Sequence, residues 1–91
     1  MSIASAAVSV ATTATALHAA ESAGSDRVSL VVANVGAATI YVGGSDVTTS
    51  NGVPIAAGAS LTVNELAPGE VLYGIVAAST VEARVLRQGV G

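Results

Sequence analysis

Along most of the chain apolar and polar residues alternate one by one, which is the two-residue period of a strand rather than the 3.6-residue period of a helix. The clearest case is TVEARVLR (80–87), where Val81, Ala83 and Val85 share one face and Glu82 and Arg84 the other. Sliding this segment by one residue would bury two charges, so its register is well specified. In ATIYV (38–42) Ile40 and Val42 oppose Thr39 and Tyr41, and in SLTV (60–63) Leu61 and Val63 oppose Ser60 and Thr62. EVLYGIVA (70–77) predicts a strand with Val71, Tyr73, Ile75 and Ala77 together on one face. RVSLVVANV (27–35) is apolar on both faces, with Val28, Leu30 and Val32 on one and Val31 and Val35 on the other. That pattern predicts a central strand covered on two sides.

Turn signals punctuate these runs: Asn-x-Gly at 34–36, Ala67-Pro68-Gly69, and the small pair Ala78-Ser79. Short strands spaced in this way predict an all-β chain, a small antiparallel β-sandwich or barrel of about seven to eight strands. The N-terminal third is more ambiguous. IASAAVSVATTATALHAAESAG (3–24) is Ala-rich enough for a helix on propensity. Val8, Val10 and Thr12 nevertheless alternate with Ser9 and Ala11, and the Val and Thr content favours extended chain. The reading is one or two strands within Ala7–Ala19 and a loop at Glu21–Asp26, with the first residues forming an arm that orders on a partner. The expected organisation is one β-domain over 1–91, with 1–11 as an N-terminal arm or edge strand and 12–88 as the sandwich core.

The stretch YVGGSDVTTSNGVPIAAG (41–58) is the one candidate for a ligand loop. A phosphate loop needs a Lys after its glycines and a helix beyond, and this chain has no Lys. A calcium loop needs several oxygen ligands and a closing Glu, yet Asp46 is the single charged residue between Arg27 and Glu65. As scaffold the stretch makes better sense. Gly43 and Gly44 permit positive φ, Ser45, Asp46 and Thr48 can bond nearby amides, and Asn51-Gly52 suits a tight turn with positive φ at both positions. Val53-Pro54-Ile55 is then extended, and Ala57-Gly58 turns the chain again.

Composition sharpens the picture. Hydrophobic residues make up 52% of the 91, but there is no Phe or Trp and only two Tyr, so the core must be built from Val, Ala, Leu and Ile. A single domain of this size has little apolar surface to spare, and burial against neighbours would relieve it. Three Arg against six acids give a net charge of −3, which excludes a nucleic-acid partner that needs clustered cations. Charged residues are only 10%, so much of the surface is neutral, as suits a protein docked on something larger. There is no cysteine and hence no disulfide or thiolate metal site. The first twenty residues lack the positive start and unbroken apolar run of a signal peptide, and no segment is long and apolar enough to span a bilayer, so a soluble chain with no membrane partner is expected.

Catalytic candidates are thin. His18 is the only histidine, and no spacing ties it to a serine and to Asp26 or Asp46. Glu65 and Glu70 flank the Pro68-Gly69 turn and read as solvated charges rather than a glycosidase pair. Tyr41 and Tyr73 can stack on a sugar, but at strand positions they serve more often as packing. The expectation is a protein that is not an enzyme and has no cofactor and no metal.

The sequence resembles a family on particular residues: Tyr41-Val42-Gly43-Gly44-Ser45-x-Val47, Asn51-Gly52-x-Pro54-Ile55, Leu72-Tyr73-Gly74-Ile75 and Val81–Leu86. In that order, across roughly 12–87, they look like small β-sandwich virion proteins of tailed bacteriophages, which occur as capsid decoration (cement) proteins and as modules of tail or fibre proteins. The resemblance implies a structural role on the outer capsid surface of a virion made in the host cytoplasm. It further implies the major capsid protein as partner and a homo-oligomer, with a trimer as first guess. The contact residues expected on this reading are Val8 and Val10 in the N-terminal segment and Asp46, Val47 and Thr48 in the loop. The alternative is a tail or fibre module that binds a host glycan through Tyr41 or Tyr73.

Overall fold

The computed structural model describes residues 3–18, 27–66 and 70–90, and every regular element among them is a strand. In chain order these are β1 (Ile3–Val10), β2 (Thr15–Ala16), β3 (Arg27–Asn34), β4 (Ile40–Gly43), β5 (Val53–Ile55), β6 (Ser60–Leu66), β7 (Tyr73–Ile75) and β8 (Val81–Val90). They form two four-stranded antiparallel sheets, ordered β1-β8-β3-β6 and β2-β7-β4-β5. The fold is therefore all-β, as the alternation predicts.

Each strand pairs with its counterpart from the other end of the chain: β1 with β8, β2 with β7, β3 with β6 and β4 with β5. The chain is one long hairpin whose successive strand pairs go to opposite sheets, and the β3–β8 and β4–β7 pairings close each sheet. This is jelly-roll topology, which resolves the open choice between sandwich and barrel in favour of a two-sheet sandwich.

One core lies between the sheets. Val10, Leu30, Val32, Val81, Ala83 and Val85 come from the first, and Leu17, Ile40, Val42, Ile55 and Val76 from the second and the segments flanking its strands. Val10 is completely buried, so the core starts before residue 12, and Ile3–Val10 is an edge strand paired with β8 along its whole length rather than a free arm. In β8 the alternation holds as read: Val81, Ala83 and Val85 are buried while Glu82 and Arg84 are exposed.

Three details add to or correct the sequence reading. First, the face that Tyr73 and Ile75 share on β7 is the outer one. Gly74 and the following Val76 are buried, whereas Tyr73 and Ile75 are half-buried on the outer face and Ala77 is exposed. Segment 71–77 is apolar in both phases, so periodicity cannot choose between them. Packing does: Gly74 sits between the sheets, where a Cβ would stand 3.3 Å from Val10 Cγ1 and 3.4 Å from both Ile40 Cγ2 and Leu17 Cδ2, a close contact that asks its neighbours to give by a few tenths of an ångström. The Val76 N–H, donating to Ala11 O at 3.1 Å, fixes the phase. Second, β3 is central within its sheet but covered on one face. Leu30 and Val32 are fully buried, Val31 is half-buried on the outer side, and Val35 just beyond the strand is 52% exposed. Third, Asn51-Gly52 does not form a turn with positive φ, because among the described residues only Ser79 and Gly58 have it. Neither Gly43 nor Gly44 uses that freedom.

Gly58 is the position where the backbone itself demands glycine, with φ of +80°. Nothing lies within 4 Å of where its Cβ would stand, so Gly58→Ala isolates the backbone cost. We expect a loss of about 1–2 kcal/mol, read from the shift in urea midpoint at constant slope. The expected loop at Glu21–Asp26 and the expected turn at Ala67-Pro68-Gly69 lie outside the described residues.

Candidate functional site

Loop 43–52 is tied to itself. The Val47 N–H donates to Gly44 O (3.0 Å) and the Gly52 N–H to Thr48 O (2.9 Å). Thr48 Oγ1 accepts from the amides of Ser50 and Asn51, both at 3.2 Å, and Asn51 Oδ1 accepts from the Thr48 amide at 2.8 Å. The loop polar groups thus satisfy its own backbone, as expected for Thr48. Val47 plugs the loop onto the sandwich: it is 4% exposed, with Cγ2 only 2.9 Å from where a Gly52 Cβ would lie. Tyr41 Cβ would be closer still, at 2.7 Å, so Gly52 is required by space rather than by φ.

The five expected contact residues therefore separate. Asp46 and Thr48 are exposed at the loop surface and Val8 is half-buried on β1. Val10 and Val47 are buried inside this chain and offer a partner nothing, which corrects the expectation for both. The reason is local. Val8 and Val10 share the inward phase of β1 opposite Ser9, and Val47 is the one apolar side chain available to close a polar loop.

Sequence reasoning missed two residues whose side chains organise the backbone. Asn34 is 1% exposed and fully bonded. Its Nδ2 donates to Ile55 O (2.9 Å) and Ala38 O (2.7 Å), while Oδ1 accepts from the Gly36 amide (3.0 Å). Its backbone adds two more bonds, from its N–H to Ala59 O and from the Gly58 N–H to its carbonyl, both at 2.9 Å. This single amide pins the crossover from β3 to β4 against β5 and the turn before β6. The Asn-x-Gly spacing flags a turn here but not a buried hub. His18 is half-buried, and its Nε2 accepts from the Leu72 N–H at 3.0 Å. The Leu17 N–H donates to Leu72 O at 2.9 Å, so residues 17–18 and 72 are laced together.

The outer faces carry little charge. On the first sheet Ser5, Ala7 and Ser9 lie beside Leu86, Arg84 and Glu82. The Arg84–Glu82 pair at 2.6 Å is solvent-exposed and contributes at most about 1 kcal/mol. On the second sheet Tyr41 faces Ile75, and Tyr73 sits one pair further along opposite Gly43, so both tyrosines share the outer face with Pro54. Among the described residues no group of His, Asp and Glu side chains is placed to hold a metal ion. The described residues form no helix, and so none long and apolar enough to cross a membrane.

The sheet edges differ sharply. β2 has two residues, and β5 has three with a proline among them. β6 is interrupted by a bulge opposite Val28–Leu30 and includes Glu65. β1 runs eight residues in unbroken register, with no charge, proline or glycine. Short strands, prolines, bulges and charges are the usual devices that blunt an edge, and β1 has none of them.

No protein-family model matches the chain and no curated protein is significantly similar to it. Among solved structures it is similar to a Bacillus endospore appendage protein, of a family described as forming disulfide-linked pili. The TM-score is 0.63 at 15% identity, over 99% of this chain and 87% of the other. At that identity the likeness is one of fold, and this chain, having no cysteine, cannot share the disulfide linkage.

Proposed function

We propose that the protein is a non-enzymatic building block of a large protein assembly, and specifically a capsid decoration (cement) protein that binds and stabilises the outer surface of a tailed-phage head. On this reading it acts as a single β-domain, self-associates, and takes the major capsid protein as partner. One observation carries it: a long edge strand, β1, with no charge, proline or bulge to guard it against pairing, beside outer sheet faces that carry few charges. Free proteins guard such edges, whereas subunits use them. The resemblance of segments 41–58, 72–75 and 81–86 to virion β-sandwiches supports a structural virion role, within which the head is the place we propose. The exposed Asp46 and Thr48 and the half-buried Val8 remain the proposed contacts. Because ionic groups are sparse, attachment should change little with salt.

Co-sedimentation of the purified protein with empty phage heads tests this. Saturable binding that survives high salt and raises the temperature at which the shells open is the expected result. Absence of binding to heads together with binding to tail tubes or fibres would transfer the protein to the alternative.

A second reading is favoured by a specific observation. The likeness in fold to an endospore appendage protein, and the two tyrosines on one outer face, suit a subunit of a fibre with a glycan-binding surface. A glycan array separates it: a specific hit lost in Tyr41→Ala or Tyr73→Ala supports this reading over the first.

A further inference from the structure

We propose that β1 is the self-association edge: it pairs antiparallel with β1 of a second copy about a two-fold axis at Ala6, joining the first sheets of both copies into one eight-stranded sheet. This deepens the reading of the chain as an assembly subunit and rests on it.

The direction of each backbone group on β1 follows from bonds already described. In an antiparallel ladder successive residues point their N–H and C=O to opposite sides. The Val35 N–H donates to Glu82 O, so Glu82, Arg84 and Leu86 address β3. Val81, Ala83 and Val85 must then address β1, where they meet Val10, Val8 and Ala6. The groups left unpaired on the free edge belong to Ile3, Ser5, Ala7 and Ser9. Ser5, Ala7 and Ser9 are exposed, so among the described residues no side chain covers this ladder.

A two-fold axis at Ala6 sets Ile3 against Ser9 and Ser5 against Ala7 of the second copy, and the reverse. Every free-edge group between Ile3 and Ser9 then finds a partner, which no shift of the axis along the strand achieves over so long an overlap. Ala6 meets its own equivalent at the centre, where small side chains permit close approach. No charge is brought near another, since β1 has none. Val8 gains cover as well: it packs against the core but stays half-buried at the sheet margin.

The identity of the partner strand follows from the other edges. An unblunted edge needs an unblunted complement, and β2, β5 and β6 are each cut short by length, proline or bulge. The complement is β1 itself. A two-fold contact yields a dimer instead of the trimer implied by the virion resemblance, and a contact confined to one strand pair falls below the roughly 1,200 Å² typical of stable complexes. The pairing is accordingly reversible in the free protein and is reinforced by the larger assembly.

The absence of cysteine makes disulfide trapping a clean assay. In Ala6→Cys the two thiols meet across a non-hydrogen-bonded pair, with Cα atoms at about 4.5 Å, within disulfide range. Mild oxidation should convert Ala6→Cys to covalent dimer at least tenfold faster than Ser9→Cys, which meets Ile3, or Thr62→Cys on the opposite edge. Adding Ala7→Pro removes one free-edge N–H without touching the β8 ladder. It should cut trapping by tenfold or more while the strand signal in circular dichroism persists. The proposal is overturned if Ala6→Cys traps no faster than Thr62→Cys, or if the pair Ala7→Cys and Thr62→Cys, mixed, cross-links in its place, since that would mean head-to-tail pairing of β1 with β6. Head binding by the wild type separates the two claims. Binding without Ala6→Cys trapping removes this contact and keeps the functional reading, and trapping without binding does the converse.

Discussion

Asn34→Ala is expected to destabilise the protein by roughly 2–4 kcal/mol, because it strips three hydrogen bonds from this corner and leaves one buried acceptor with no replacement. Of the three, the bond to Ile55 O is fully buried, and that carbonyl has no water to turn to. The Ala38 and Gly36 groups lie nearer the surface and recover part of their loss from solvent. Asn34→Asp tests the mechanism more finely. An ionised carboxylate can still accept from the Gly36 amide but repels the two carbonyls that the Asn amide holds, so it should be at least as damaging at neutral pH as the alanine. Thermal melting followed by circular dichroism measures both, with a midpoint shift on the order of 4–8 °C for each kcal/mol in a chain of this size. An alanine variant within a degree of wild type would show that Asn34 is dispensable to the corner.

Leu30→Ala is the other large effect. Leu30 is completely buried at the centre of β3 and ranks among the largest side chains in a core with no aromatic. A loss of about 2–5 kcal/mol is expected, the upper part of that range if the cavity stays open. The surrounding side chains are mostly β-branched and restricted about χ1, so they collapse poorly into a hole. Leu30→Ile, which keeps the volume, should cost under about 1.5 kcal/mol. Urea titration of the pair gives the comparison, and near-equal midpoints would mean that this core is looser than its burial suggests.

Much of the architecture is legible in the sequence because alternation is strict wherever polar residues mark the outer phase. Glu82 and Arg84 do this for β8, and Thr39 and Tyr41 for β4. Where both phases are apolar the pattern falls silent, as at 71–77, and the sheet-to-sheet distance at Gly74 decides in its place. The β3 segment misleads for a related reason: Val31 and Val35 suggest a second covered face, but in a sandwich this small one layer is enough and the outer valines stay partly in water. Glycines were informative about place but not about cause. Gly58 is there for its φ, while Gly52 is there because other atoms come too near.

The candidate site was less legible. Exposure of Asp46 and Thr48 follows from polarity alone. Burial of Val47 depends on what the loop folds onto, and burial of Val10 on which phase of β1 meets the second sheet, and neither is a local property. Asn34 shows the limit most plainly. The same residue marks a turn when read along the chain and ties the β3–β4 crossover, β5 and the turn before β6 together when read in space.

The nested pairing has a consequence for biosynthesis. β8 lies between β1 and β3, so those two strands, made first, have no direct contact with one another until the last of the described strands slides in to join them. An emerging chain therefore exposes unsatisfied ladders on β1 and β3 throughout translation, and sequence-distant pairings of this sort form slowly. Protection during that interval has to come from low stickiness of the nascent segment. Alternating serine with alanine across the N-terminal strand is one way to provide it.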